Sequence, residues 1–364
     1  MNAPTRIVPA KGIEISDADR EELTEGAAAL LESIAELQFE PDARELLPDV
    51  EIFYNAVQYA IEQDIFYEVE DVANGMKLLL EGEDRAKGLM AGGAPWTVDT
   101  GLIVRGYRSR LDDSVQPYGL VVPDSYDSDP ETPHRLDIWH HGRNAKGSEL
   151  RFLVERMNKP GQFTPDETFV LHTYGRYCNA MKFAGEVDTF EALAHAKANY
   201  PIDDDRICMR GFSMGGAAVW HQASHMPGEW VAATPGAGFA ETAIYQNIAD
   251  REVQPPWWEQ KLWGLYDATK VAGNLRHCPT IAYSGENDKQ VQSSDIMAEH
   301  MAEEGLELTH IIGPGMGHAF DDGSKEEIER QLKPIVEKGR DLTPRSIEFA
   351  TYTLRYNRIG WVRI

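Results

Sequence analysis

One run of six residues constrains this chain more than any other. Gly211-Phe212-Ser213-Met214-Gly215-Gly216 sets a serine between glycines, where a short apolar run gives way to an alanine-rich one. Arg206–Gly211 reads as a short buried strand and Gly216–Ser224 as a helix. A strand that turns directly into a helix through a serine holds the hydroxyl out at the top of a sheet, in a strained turn with no room for side chains at the flanking glycines. Ser213 is therefore the candidate nucleophile.

A serine hydroxyl attacks only when a base takes its proton, and an imidazole base needs a carboxylate to fix its tautomer. Downstream, Cys278–Ser284 reads as a buried strand that opens into Gly285-Glu286-Asn287-Asp288. Asp288 is the candidate acid, with Glu286 and Asp295 as alternatives. The next strand, Leu306–Ile312, runs into Gly313-Pro314-Gly315-Met316-Gly317-His318. This glycine-rich loop offers His318 as the base, in preference to His310 inside the strand. Serine, acid and histidine in that chain order, each past the end of a predicted strand, match the α/β-hydrolase arrangement. Two oxyanion donors are also needed. The N–H of Met214, which follows the nucleophile, is one candidate. Arg135–His140 reads as an earlier strand followed by His141-Gly142-Arg143-Asn144, and the N–H of Arg143 is the other, with His141 and Gly142 shaping the loop. An ordinary strand-to-loop junction is the plain alternative there.

Phe169–Tyr174 reads as a further strand, Gly185–Asn199 as a helix, and Pro201–Arg206 as the turn into the nucleophile strand. The segments Gly185-Glu186-Val187-Asp188, Ile202-Asp203-Asp204-Asp205-Arg206-Ile207 and Gly211–Gly216 resemble the catalytic domain of prolyl-oligopeptidase-like serine hydrolases and related bacterial esterases. The resemblance covers about Gly101 to Lys338. It implies an α/β-hydrolase fold, a covalent acyl-enzyme and no cofactor.

Those peptidases carry a large β-propeller ahead of the hydrolase domain. Here the stretch before Gly101 reads as helices over Asp17–Leu37, Pro48–Ile65 and Val69–Met90, with apolar residues at helical spacing and no repeated four-strand blade. Leu102–Arg110 and Gln116–Val122 follow as antiparallel strands. Alternating strands and helices then argue for a mostly parallel sheet flanked by helices. The expected organisation is a helical accessory region over 1–95, a catalytic domain over 96–340 with a small cap inserted at about 240–275, and a strand-like extension over 341–364.

The chain has 364 residues and a net charge of −25. That charge excludes nucleic acid as a partner, since neutralising phosphates takes clustered Lys and Arg. His221 and His225 stand four apart, but Gln222 replaces the Glu of a zinc protease, so they read as structural or surface histidines and no metal is expected. Gly313–Gly317 lacks the Lys-Ser/Thr of a phosphate loop. Cys208 and Cys278 read as free core thiols, Cys178 as a loop residue near the site, with one disulfide left open. No stretch is long enough to span a membrane, and Met1–Ala10 has no apolar signal core. The expectation is a cytoplasmic protein as the sequence stands, or a secreted or periplasmic one if a leader has been removed.

For the substrate, Trp257 and Trp258 in the cap offer aromatic surface to an acyl or sugar group, with packing of the cap as the plain alternative. His141, Arg143, Arg176 and Asn179 offer contacts to a carboxylate, hydroxyl or carbonyl, with surface ion pairing as the alternative for the arginines. The expected activity is a serine carboxylic ester hydrolase acting on a small or oligomeric ester, aromatic or sugar-linked. The alternative is a serine peptidase for short peptides, and a third reading is an inactive hydrolase scaffold. The sequence does not specify an oligomeric state.

Overall fold

The computed structural model describes residues 9–127 and 132–364. The first eight residues of the Met1–Ala10 stretch, which bears on the question of a leader, lie outside them. The chain divides into two compact units, one of residues up to 132 together with 144–201, the other of 133–143 together with 202–364.

The first unit begins with three helices, α1 (Asp17–Leu37), α2 (Pro48–Glu62) and α3 (Glu70–Met90). The apolar spacing explains them. In α1, Leu23, Ala27, Leu30, Ile34 and Leu37 form one buried stripe, and the Ser16 hydroxyl caps the start by accepting the Asp19 N–H. Strands β1 (Gly101–Arg108) and β2 (Val115–Val122) pair antiparallel. After them in this unit come α4 (Glu149–Asn158), then β4 (Thr168–Thr173), antiparallel to β2, and α5 (Ala184–Asn199), while β3 (His134–His140) belongs to the second unit. Helix α2 is fastened to β1 by a buried carboxylate. Asp49 accepts from Arg105 Nε at 2.8 Å, Trp96 Nε1 at 2.9 Å and the Gly106 N–H at 2.7 Å. The charge is buried without large penalty because the cation and two further donors surround it.

The second unit carries five parallel strands in the order β3-β5-β6-β7-β8. They are β3, then β5 (Ile202–Phe212), β6 (Ala232–Gly236), β7 (Ile281–Gly285) and β8 (Thr309–Gly313). Between them run α6 (Met214–His225), α7 (Thr242–Tyr245), α8 (Trp257–Trp263) and α9 (Val291–Glu303), and α10 (Asp322–Lys338) follows β8. Every residue of α6 is buried, which suits the small residues of its first turns, Gly215, Gly216, Ala217 and Ala218. The class is the expected one, an α/β fold with mostly parallel strands, flanking helices and a helical N-terminal region.

Strand β5 is longer than the predicted Arg206–Gly211. Its register on β3 shifts between His134↔Ile202 and Leu136↔Ile207, and Asp203 Oδ1 accepts the Asp205 N–H across the irregularity. The bulge absorbs the acidic run that reads as a turn in sequence. Residues 341–364 hold a 3-10 turn and a two-residue hairpin, β9 (Arg358–Ile359) with β10 (Val362–Arg363). The Tyr356 hydroxyl of this segment meets His221 Nε2 at 3.2 Å, and Asn274 exchanges two hydrogen bonds with the Ala350 backbone. His221 and His225 are both buried, as a structural role requires. All three cysteines are free, and burial pushes the Cys208 thiol up to about 12. Among the described residues no helix is long and apolar enough to cross a membrane.

Candidate active site

Ser213 sits at the junction of β5 and α6 with φ 59° and ψ −119°. A non-glycine residue held there stores strain of about 1–3 kcal/mol, which surrounding contacts must offset. Those contacts are visible. The Ser213 N–H donates to the Gly236 carbonyl at 2.9 Å. A Cβ on Gly215 would lie 2.0 Å from the His140 carbonyl oxygen, and one on Gly211 would lie 2.4 Å from the Gly215 carbonyl oxygen. Strand ends and helix start are thus pressed backbone to backbone, and the flanking glycines are a steric requirement.

The end of β3 supplies the neighbouring wall. A Cβ on Gly142 would stand 3.6 Å from Ser213 Cβ, so the loop His141–Arg143 runs beside the serine. His141 Nδ1 lies 2.8 Å from the Gly142 carbonyl, which orients that ring along its own loop. Behind the loop His140 is fully buried, and desolvation lowers its pKa to about 3, so its imidazole stays neutral. Met214 opens α6, where the first turn's N–H groups have no partner within the helix and the macrodipole is positive. A negative oxygen bound at this spot would meet both features.

His318 and Asp288 meet directly. Asp288 is buried and follows the end of β7; its Oδ1 accepts the Gln290 N–H at 2.9 Å and its Oδ2 lies 2.7 Å from His318 Nδ1. With Nδ1 donating to the carboxylate, Nε2 is left as the basic nitrogen. The His318 side chain is 43% exposed, so that nitrogen is reachable from outside. Phe212, the residue before the serine, lies with its ring 4.8 Å from the imidazole and 4.8 Å from Phe320, which in turn stacks on Tyr283 at 4.3 Å. The alternatives are engaged elsewhere. Glu286 accepts the Gly315 N–H at 2.6 Å, and His310 Nε2 meets Ser284 Oγ at 3.1 Å.

The predicted substrate contacts fall in different places. Arg176 is committed to ion pairs with Asp112 and Asp188 and to the Ser109 hydroxyl at 2.9 Å. Asn179 Nδ2 donates to the Gly175 carbonyl at 2.8 Å. Both belong to a loop of the first unit in which Arg176, Tyr177, Ala180, Met181 and Phe183 all have positive φ, a strained course that no glycine pattern announces. Trp257 and Trp258 lie on α8 and are 69% and 55% exposed. The excursion that carries them is tied at its base: Thr242 Oγ1 donates to Asp267 Oδ1 at 2.7 Å, and the Ala268 N–H to the Ala240 carbonyl at 2.8 Å. Phe239, beyond the end of β6, stacks on Tyr245 of α7 at 4.0 Å. Arg143 is exposed.

Residues 179–335 match the Prolyl oligopeptidase family. No match is found among curated proteins. Among solved structures, the chain is similar to fluorophosphonate-binding serine hydrolase F of Staphylococcus aureus, with a TM-score of 0.48 and 16% identity over 65% of this chain and 99% of that one. It is also similar to an S-formylglutathione hydrolase of Staphylococcus aureus (TM-score 0.46, 18% identity, 65% of this chain and 98% of that one). A puromycin-hydrolyzing peptidase of Mycobacterium tuberculosis gives a TM-score of 0.45 at 16% identity, over 68% of this chain and 41% of that one. The strands and helices make an α/β fold, and residues 179–335 match the model of the Prolyl oligopeptidase family.

Proposed function

We propose that this hydrolase is a serine carboxylic ester hydrolase acting through an acyl-enzyme, with Ser213 as nucleophile, His318 as general base and then acid, and Asp288 orienting the imidazole. The observation that carries the reading is the 2.7 Å contact between His318 Nδ1 and Asp288, with the imidazole packed on the neighbour of a serine in a strained elbow.

The chemistry follows from the atoms. Ser213 Oγ attacks the ester carbonyl carbon while its proton passes to His318 Nε2, and the new imidazolium is stabilised by Asp288. The carbonyl π-electrons move onto oxygen, which the N–H groups of Met214 and Arg143 receive as an oxyanion. Collapse of this intermediate breaks the bond to the alcohol oxygen, which leaves with the proton from His318. Water then attacks the acyl-enzyme, again giving its proton to His318, and the acid departs as Ser213 regains its hydrogen. No step calls for a metal or cofactor.

The stacked Phe239–Tyr245 pair and the exposed Trp257 and Trp258, all in the segment that follows β6, favour an aromatic or similarly flat ester group. The case for an acid-bearing or sugar-acid ester is weaker, since Arg176 is already paired and only Arg143 is left exposed.

The family match of residues 179–335 favours a second reading, hydrolysis of short peptides by the same residues. An ester and an amide that share one acyl group separate the two. The ester reading expects turnover of the ester with negligible turnover of the amide, and Ser213→Ala should lower kcat by roughly 10⁶. Comparable rates on both substrates would favour the peptidase. Activity surviving in Ser213→Ala would defeat both.

A further inference from the structure

The loop that carries His318 has little to hold it through side chains of its own. From Gly313 to Gly317 it contains three glycines and a proline, and Gly315 adopts φ +68° with open space around it. A loop of this composition does not fix an imidazole by packing. Beside the Phe212 ring packed on the imidazole, what fixes the loop is the neighbouring acid loop. The Glu286 N–H donates to the Gly313 carbonyl at 3.0 Å and the Asn287 N–H to the Met316 carbonyl at 2.8 Å. A Cβ on Gly285 would stand 2.1 Å from the Gly317 carbonyl oxygen. One side chain joins these main-chain contacts. Glu286 Oε2 accepts the Gly315 N–H at 2.6 Å, at the summit of the loop, three residues before the histidine.

We propose that Glu286 is a positioning residue for His318, clipping the tip of the histidine loop to the acid loop so that the imidazole meets Asp288 in one orientation. The inference rests on the reading of His318 as general base. Glu286 and Asp288 share one turn, in which the Asp288 N–H donates to the Gly285 carbonyl at 3.0 Å. Any shift of the clip therefore moves carboxylate and imidazole relative to each other, while the main-chain contacts keep the fold. Glu286 is exposed, and its replacement removes nothing from the core.

The test compares Glu286→Ala, Glu286→Gln and His318→Ala on one ester, reading kcat, KM and Tm. A loosened base costs turnover and spares binding. Glu286→Ala should lower kcat about tenfold or more, with KM within about twofold and Tm unchanged. Glu286→Gln keeps a side-chain oxygen for the Gly315 N–H and should restore most of kcat. An Ala variant with full kcat, beside an inactive His318→Ala, would overturn the clip and leave the base assignment standing. A Gln variant as slow as the Ala variant would also overturn it, because charge would then outweigh the geometry of the contact. Full activity in His318→Ala would instead remove the parent reading, and the clip with it.

Discussion

The ring of Phe212 lies 4.8 Å from the imidazole of His318, with the two planes 46° apart. The residue before Ser213 therefore packs against the imidazole proposed as the base, so the elbow sets the serine backbone and the surroundings of that imidazole together. An aromatic ring attracts a cation by about 0.5–2 kcal/mol according to exposure, and the proposed mechanism forms an imidazolium at His318.

Phe212→Leu should therefore lower kcat/KM by about threefold to thirtyfold, while Phe212→Tyr, which keeps the ring, should remain near the parent enzyme. Steady-state kinetics on a single ester measure this. A Leu variant as fast as the parent would reduce Phe212 to packing.

Glu149, in the first turn of α4, is held up to about 7 by burial, with its own backbone hydrogen bond and the charge of Arg176 opposing the shift. A carboxyl whose folded pKa lies above its unfolded value costs stability once ionised, so the penalty is full above pH 7 and absent below the ordinary carboxylate range. Glu149→Gln should stabilise the protein by about 2–3 kcal/mol at pH 8 and leave it unchanged at pH 4, as read from denaturant unfolding at the two values. Equal stability of parent and variant at pH 8 would mean that the carboxylate is solvated when charged.

Much of this architecture is legible in the sequence, for identifiable reasons. Asp17–Leu37 reads to the residue because a capping serine, acidic first-turn residues and a regular apolar stripe agree. The segments holding Ser213, Asp288 and His318 read clearly because each is a strand end marked by glycine. Strand β6 is not legible: Ala232-Ala233-Thr234-Pro235-Gly236 lacks a β-branched apolar run, and it is a strand because β5 pairs along it. Helix α4 is likewise missed. The union of Asp49 with Arg105 spans 56 residues of sequence and obeys no local pattern. The positive φ values of the Arg176–Phe183 loop fall on residues that ordinarily avoid them, so only the folded surroundings reveal that course. Arg176 itself looks available to a substrate in sequence, because the spacing to Asp112 and Asp188 gives no sign of a pair.

The most direct test of the central claim is covalent labelling by a fluorophosphonate, read by intact mass and peptide mapping. The account predicts one added phosphonyl group on Ser213 in the parent protein, no labelling of Ser213→Ala, and labelling slowed by orders of magnitude in His318→Ala. A folded parent protein that fails to label, or that labels at a residue other than Ser213, would contradict it.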